Sequence, residues 1–378
     1  MPTADELIGA PVVEQLIGCL GRAAPDHPPT ALRTAAAELS GQSLSERARA
    51  LRDALLADLP TGYSAFAQVV RGGLADPEFT GWLIWPVSEA VATLATEQGG
   101  PEFEDGLALL AALTGRLTGE FALRTFLAAD LDRTLTSVKG WTDHTDEHVR
   151  RLASEGTRAR LPWARRVRGL LERPAATVPL LDALYRDPSE YVRRSVANHL
   201  NDLSRIDPAL ATDTARRWLA DPDPNTASVI RHAMRTLVKN GDPAALELLG
   251  FGPPAQVELI DFALDDATVP AGGQLSFQAS IINRGAEPAK LVIDYVIHHR
   301  KANGSLTAKV FKLATQALPA GATSTIRKTH SFRPISTRRY YPGGHAVEIQ
   351  INGVRAGRLE FDLTAAPTTP TTSGKWLS

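Results

Sequence analysis

The amino-acid sequence contains three carboxylates, Glu120, Glu155 and Asp202, that each lie within a few residues of arginines. Carboxylates can orient or deprotonate a water molecule, and they can stabilise positive charge that develops during a reaction. Arg151 and Glu155 are four residues apart, and Arg158 follows three residues later. If this segment is helical throughout, the three side chains share one helix face.

A second set, Arg194, Asn198 and Asp202, has the i, i+4, i+8 spacing of a single helix face. An isolated Arg–Glu pair at helical spacing is usually a solvated ion pair that contributes a few tenths of a kcal/mol. The run from Asn198 to Asp202 weakens that interpretation, because one apolar residue in five is unusual inside a packed helix. A solvated surface and a functional cluster therefore both stay open at this point.

No motif in the sequence indicates a metal or a cofactor. His199 and His232 are isolated histidines, which more often form hydrogen bonds in a core or a groove than bind a metal ion. The chain has one cysteine, Cys19, and no spacing typical of metal ligands. Phosphate-binding loops, nucleophile elbows and dinucleotide fingerprints are also missing. We therefore expect no metal and no cofactor.

The elements that must position these residues are helices arranged in a repeat. Residues 1–250 have apolar residues at spacings of three and four, broken by Pro- and Gly-rich turns. Ser43 followed by Glu46 predicts a capping box. The strings at 148–151, 191–194 and 229–232 resemble one another at offsets of 43 and 38 residues. This period is typical of HEAT-like repeats, in which helix pairs stack into a solenoid that lines up equivalent faces.

The sequence changes character near residue 250, where short alternating stretches rich in β-formers begin. Asn303-Gly304 and Asn352-Gly353 predict two hairpins, and about seven strands in this length predict an immunoglobulin-like sandwich. The expected fold is thus mainly α, a HEAT-like helical-repeat solenoid followed by an all-β immunoglobulin-like sandwich. The expected domains are residues 1–250, a linker at 251–256, the sandwich at 257–364 and a disordered tail at 365–378.

The net charge of -1 for 378 residues hides strong segregation of charge along the chain. Residues 1–140 carry 10 Lys and Arg against 18 Asp and Glu, whereas residues 267–363 carry 13 against 5. Residues 141–239 are also basic, with 17 against 13. Such asymmetry is consistent with binding to a polyanion, and ordinary surface variation explains it about equally well. With no targeting segment and no apolar run of about 20 residues, we expect a cytoplasmic protein without a membrane partner.

The sequence resembles the DNA alkylation-repair glycosylases of the AlkC type, in the AlkC/AlkD superfamily of HEAT-like-repeat proteins. The resemblance covers about residues 40–250 and is densest in three motifs, Glu120–Phe126, Val149–Trp163 and Tyr191–Asp202. The appended β domain also fits, since one AlkC subgroup resembles a HEAT-like domain followed by an immunoglobulin-like domain. The sequence departs from the family at Thr125 and Ala159, where proline is expected.

This resemblance implies a monofunctional DNA glycosylase that removes cationic methylated bases, namely 3-methyladenine, 3-methylcytosine and 1-methyladenine. Loss of such a base leaves an oxocarbenium-like sugar, whose positive charge carboxylates can stabilise. We expect Asp202 to act on the water and the sugar, and Glu120 and Glu155 to flank the lesion. Trp163 would pack on the exposed sugar or base, although a tryptophan after Pro162 is more often a core residue.

The expected partner is double-stranded DNA that contains alkylated bases, bound by a monomer. Phosphate contacts are expected from arginines of the repeat region and polar contacts from Asn198, and the β domain would clamp DNA through a basic cluster. These basic residues are Arg151, Arg158, Arg160, Arg194 and Arg231 in the repeat region, and Arg338 and Arg339 in the β domain. The alternatives are a non-catalytic HEAT-like module that binds damaged DNA or proteins, and a β domain that serves only stability or solubility.

Overall fold

A computed structural model describes residues 2–253, 256–335 and 338–365. The chain divides into two compact units, Met1–Met234 and Arg235–Ser378. The expected fold class is confirmed, with a helical-repeat region followed by a β-sheet domain of immunoglobulin type. The tail expected to be disordered lies, apart from Ala365, outside the described residues.

The first unit contains fifteen α-helices within the described part of the chain. They are α1 (Ala4–Leu7), α2 (Ala10–Ala23), α3 (Thr30–Ala37), α4 (Leu44–Asp58), α5 (Tyr63–Gly73), α6 (Ile84–Gln98), α7 (Gly100–Leu113), α8 (Leu123–Ala129), α9 (Leu131–Gly140), α10 (Glu147–Glu155), α11 (Arg168–Glu172), α12 (Val178–Leu184), α13 (Glu190–Leu203), α14 (Pro208–Ala220) and α15 (Thr226–Ala233). Short 3-10 turns lie at Gly81–Leu83, Trp141–Asp143 and Pro174–Thr177.

Local sequence explains where the helices that carry the site begin. Asp146 caps α10 by accepting a 2.8 Å hydrogen bond from the backbone N–H of His148. The capping box predicted from Ser43 and Glu46 is confirmed at the start of α4. The three similar strings fall on α10, α13 and α15, and α13 packs against both of the others. The repeat therefore places equivalent helices side by side.

The second compact unit begins at Arg235, which lies inside the expected helical domain of residues 1–250. It includes two short helices, α16 (Arg235–Asn240) and α17 (Pro243–Leu248), that pack with the β domain. Gln350 donates to the backbone oxygen of Lys239 at 3.2 Å. Gly241 and Gly353, both at positive φ, approach so closely that a Cβ on either would overlap the backbone of the other. These two helices therefore contact the sheet, although they lie within the expected helical-repeat domain of residues 1–250.

The β domain is a sandwich of two sheets. Its strands are β1 (Val257–Leu264), β2 (Thr268–Val269), β3 (Gln274–Asn283), β4 (Ala289–Arg300), β5 (Leu306–Leu318), β6 (Thr323–Ser331), β7 (Gly343–Ile351) and β8 (Val354–Leu363). One sheet has the order β1-β3-β6 and the other β2-β8-β7-β4-β5. Among the strands that the structure describes, only the β2–β8 pair is parallel. Both predicted hairpins are confirmed, β4–β5 and β7–β8. Alternate residues of the strands fill one shared apolar core.

Candidate active site

The structure brings the three predicted carboxylates together in the first unit. Glu155 is the last residue of α10, Asp202 lies near the end of α13, and Glu120 precedes α8. All three residues are buried, with exposed fractions of 6%, 5% and 9%. Buried carboxylates are costly unless they are paired, so the partners of these groups define what the site can do.

Arg158 joins two of the carboxylates. Its Nε donates to Asp202 Oδ2 at 2.8 Å, and its Nη1 donates to Glu155 Oε1. The helix does not continue to Arg158, because α10 ends at Glu155, so the condition for one shared helix face is not met. Arg158 is 8% exposed, and both ends of its guanidinium are held by carboxylates. Arg158 is thus held by carboxylates in this structure, and its expected contact with a DNA phosphate stays a prediction.

Arg151 extends the same series of ion pairs to the third carboxylate. Its Nη1 donates to Glu120 Oε2 at 3.0 Å, and its Nη2 lies 3.8 Å from Glu155 Oε2. The guanidinium also stacks over the ring of Tyr191, 4.8 Å from the centroid. We call the resulting series Glu120–Arg151–Glu155–Arg158–Asp202 the ion-pair chain. Arg151, expected at a phosphate, is thus mostly committed to the carboxylates.

Two oxygens of the ion-pair chain remain open. Glu155 uses both of its oxygens, since Oε2 also accepts a 2.6 Å hydrogen bond from Ser195. Glu120 receives its hydrogen bonds at Oε2, and Asp202 receives its hydrogen bond at Oδ2. Within the described part of the chain, no donor reaches Glu120 Oε1 or Asp202 Oδ1. These two atoms can accept a hydrogen bond from water or face a cation.

Burial raises the pKa of Asp202 above its usual range. The hydrogen bond and positive charge of Arg158 act in the opposite direction without cancelling the effect of burial. A carboxylate with a raised pKa holds a proton more strongly than an exposed aspartate. Asp202 is therefore a better proton acceptor than an ordinary surface carboxylate.

Sequence reasoning missed two residues that hold this arrangement in place. Ser195, on α13, fixes Glu155 across the contact between α10 and α13. Arg124 is buried and donates to three backbone oxygens. These belong to Gly156 at 3.3 Å, to Arg165 at 3.1 Å and to Arg158. Burial and the neighbouring arginines lower the pKa of Arg124 to about 10, so it remains a cation at neutral pH. Arg124 lies in the motif Glu120–Phe126, but nothing in the sequence indicated that its guanidinium would bind backbone oxygens.

His199 has the structural placement expected of an isolated histidine. It is fully buried, with Nδ1 2.9 Å from the backbone oxygen of Ser154 and Nε2 3.1 Å from Thr177 Oγ1. Burial lowers the pKa of His199 to about 3, so the ring is neutral at physiological pH. His199 therefore packs α13 against its neighbours. Among the described residues, no group of three or more His, Cys, Asp or Glu side chains is placed to hold a metal ion.

Trp163 is an exposed aromatic residue beside the carboxylates. Its side chain is 75% exposed, and its φ of 62° lies in the left-handed region that non-glycine residues rarely adopt. It lines an open cavity of about 210 Å³ together with Trp82, Glu120, Glu155 and Pro162. An exposed tryptophan in a strained turn is consistent with a contact residue rather than with the core position that Pro162 suggested.

The other predicted DNA contacts lie at different places. Arg194 and Arg231 are exposed, and Arg194 pairs with Glu190 at 2.6 Å. Asn198 Oδ1 lies 2.9 Å from His232 Nε2, and Asn198 is half-buried. Arg160 is also half-buried, and its Nε has no hydrogen-bond partner within the described ranges. Because α13 is helical throughout, one face of this helix carries Arg194 at the surface, Asn198 next and Asp202 in the site.

The two arginines predicted in the β domain line a cavity of about 580 Å³ in the second unit. Arg338 is half-buried and donates from Nη1 to His299 Nε2 at 2.6 Å, whereas Arg339 is exposed beside Tyr341. Arg339 is thus accessible, and Arg338 is partly held by its own domain.

No helix in the described part of the chain has the length and apolar composition needed to cross a membrane.

Comparisons with known proteins match both parts of the chain. The family model for HEAT repeats matches residues 177–250, and that for the C-terminal Ig-like domain of the uncharacterised protein YhaZ matches residues 258–365. The uncharacterized protein YhaZ of Bacillus subtilis (strain 168) is 34% identical over 323 residues, which cover 85% of this chain and 87% of YhaZ. A solved structure of Pseudomonas fluorescens alkylpurine DNA glycosylase AlkC, bound to DNA containing an abasic site analog, is 34% identical with a TM-score of 0.88. That match covers 96% of this chain and 100% of the other.

Proposed function

Since this chain belongs to the AlkC family of alkylation-repair DNA glycosylases, we propose that it hydrolyses the N-glycosidic bond of cationic methylated bases in duplex DNA. The expected bases are 3-methyladenine, 3-methylcytosine and 1-methyladenine. It is proposed to act as a cytoplasmic monomer and to form no covalent bond with DNA. The observation that carries the proposal is the pair of open carboxylate oxygens, Glu120 Oε1 and Asp202 Oδ1, on a buried chain of ion pairs.

The proposed reaction moves positive charge from the base to the sugar. When the bond from the base nitrogen to C1′ breaks, its electron pair leaves with the base and neutralises it. The sugar becomes oxocarbenium-like, and water attacks C1′ to give an abasic site. The proton released by that water passes to a carboxylate and then to solvent. A site for this reaction needs negative charge that faces the sugar and a group that orients water.

Asp202 suits the role of orienting and deprotonating the water. Its Oδ1 accepts no hydrogen bond from the described residues, and Arg158 fixes the carboxylate through Oδ2. The raised pKa of Asp202 favours proton uptake. Glu120 and Glu155 border the cavity that Trp163 also lines, so they are placed to flank a cationic base or sugar. In this proposal Trp163 packs on the exposed nucleoside.

Recognition of DNA rests on the exposed arginines. Arg194 and Arg231 on the repeat helices can bind phosphates without reading sequence, and such contacts weaken as salt is raised. Arg339, with Arg338, supports the proposal that the β domain also clamps DNA, since residues 267–363 carry 13 Lys and Arg against 5 Asp and Glu. A phosphate contact from Arg158 would require this side chain to exchange its carboxylate partners, Glu155 and Asp202.

The test is release of free base from methylated duplex DNA by the full-length chain in the presence of EDTA. The wild type should release base, and Asp202→Asn should reduce single-turnover release by about 100-fold or more while DNA affinity stays within about threefold. The matched control is Asp213→Asn, which removes a carboxylate that is exposed on α14 and should leave release unchanged. If the wild type releases no base from any methylated substrate but binds the DNA, the chain is a binding module and the proposal fails.

A further inference from the structure

A second cavity of about 280 Å³ lies in the first unit and is lined by basic side chains. Arg49 and Arg52 reach it from α4, and Arg165 reaches it from the segment that follows Trp163. The hydroxyls of Ser45, Thr93 and Thr125 also line it. We call it the arginine cavity. It lies within residues 1–234, and it draws two of its arginines from the part of the sequence with the strongest excess of acidic residues.

The positive charge of the arginine cavity is only partly neutralised. Arg52 pairs with its neighbour Asp53, with Nε 2.8 Å from Oδ1. Of the residues that the structure describes, no carboxylate lies within ion-pair distance of Arg49 or Arg165. Glu89 is the acidic residue in the lining, and it accepts a 3.3 Å hydrogen bond from Trp85 Nε1. Two guanidinium groups therefore remain available for an anion.

The arginine cavity shares walls with the cavity that holds the carboxylates. Trp163 and Phe121 line both of them. On one side lie Glu120 and Glu155, and on the other lie the arginines. A DNA strand that carries a methylated base has the matching pattern, because the lesion is cationic and each phosphodiester beside it is anionic.

We propose that the arginine cavity binds a phosphodiester of the DNA strand close to the lesion, through Arg49 and Arg165. Guanidinium groups bind phosphate oxygens through charge-assisted hydrogen bonds, and the nearby hydroxyls add donors of the right kind. This inference rests on the proposed function and extends it. It makes α4 part of the DNA interface and places the strand on both sides of Trp163, with the base at the carboxylates and the phosphate at the arginines.

The first experiment measures affinity of the full chain for a methylated duplex over a range of salt concentrations. The double variant Arg49→Ala/Arg165→Ala should bind about tenfold more weakly at low salt, and its slope of log K against log salt should fall by about one. Arg33→Ala is the matched control, because it removes an exposed arginine of the same lobe that lines neither cavity. Circular dichroism should show the same melting curve for all three proteins.

The second experiment identifies the phosphate. Neutral methylphosphonates replace the phosphates around the lesion one at a time, and affinity is measured for the wild type and the double variant. One position should weaken binding to the wild type about tenfold and leave binding to the variant nearly unchanged. Equal losses for both proteins at every position, or a salt slope equal to that of Arg33→Ala, would overturn the inference.

Failure of the two proposals is distinguishable because these readouts do not depend on base release. A wild type that releases base while the double variant binds normally would leave the glycosylase proposal standing and remove the arginine cavity from the interface. A wild type that releases no base, but shows the methylphosphonate coupling, would support the phosphate site and remove the proposed chemistry.

Discussion

Replacing Arg158 with methionine tests whether the ion-pair chain is held by its central cation. Methionine keeps much of the side-chain volume but removes both the charge and the donors to Glu155 and Asp202. Glu155 retains Ser195 and the more distant Arg151, whereas Asp202 loses its hydrogen bond from the described residues. Removing one partner of a buried pair costs about 3–5 kcal/mol, and we expect a loss of that size here. This is a large fraction of a typical free energy of unfolding of about 5–15 kcal/mol.

The pH dependence of that loss has a definite sign. Arg158 lowers the pKa of Asp202, so its removal raises further a pKa that burial already holds above the usual range. The folded variant then binds a proton that the unfolded chain has released, and its stability falls as pH rises through the raised pKa. Each unit of additional pKa shift corresponds to about 1.4 kcal/mol. The loss of stability in the variant should therefore be smaller at acidic pH than at neutral and alkaline pH.

The measurement is urea unfolding followed by circular dichroism at 222 nm, which reports on the helical unit, at pH 5 and pH 8. Arg216→Met is the control, because Arg216 forms an exposed ion pair with Asp213. Exposed pairs contribute about 0–1 kcal/mol, so this variant should unfold almost as the wild type does at both pH values. A loss below about 1 kcal/mol for Arg158→Met, or an equal loss at both pH values, would refute the view that Arg158 neutralises buried carboxylates.

Three further expectations concern other parts of the molecule. Trp163→Ala should reduce base release about tenfold or more yet change stability by less than about 0.5 kcal/mol in urea unfolding, because the side chain is exposed. Burial lowers the pKa of His299 to about 3 and that of His330 to about 4, so both side chains stay neutral in the folded β domain. In the unfolded chain they take up protons below about pH 6.5, so acidification should destabilise the β domain by up to about 1.4 kcal/mol per histidine and pH unit. Calorimetry over a range of pH values measures this loss. Arg339→Ala should weaken DNA binding and reduce its salt slope by about one, while base release from saturated complexes stays at the wild-type rate; a loss of that rate with unchanged affinity would contradict the clamp.

The sequence predicted the elements of the site better than the contacts among its residues. Helical periodicity and the Asn-Gly turns depend on neighbours in the chain, so α13 and both hairpins were predictable. The three carboxylates were found because they occur in long polar motifs. That they converge depends on how α10 packs against α13, and helical spacing alone left a solvated surface open as well.

Arg158 shows most clearly what sequence spacing cannot supply. Its spacing from Glu155 in the sequence is the same whether the helix continues or ends at Glu155. A continuing helix and a helix that ends there place the Arg158 side chain differently, and in the structure α10 ends and Arg158 is buried. Ser195 gave no signal because its partner, Glu155, is 40 residues away in sequence. The expected boundary near residue 250 follows from the helical periodicity of α16 and α17, and the HEAT-repeat match also extends to residue 250. The grouping of these two helices with the sheet depends on contacts that the sequence does not reveal.

The contacts of Arg124 have a consequence for how lesion preference can change. This side chain holds the segment from Gly156 to Arg165 through backbone oxygens, which every residue type supplies alike. The segment can therefore keep its shape with many different side chains at the positions it displays, among them Ala164 and, within the limits set by its positive φ, Trp163. Mutations at those displayed positions can alter which nucleoside is accommodated without rebuilding the loop. A library randomised at Trp163 and Ala164 should therefore retain far more folded members than one randomised at Arg124.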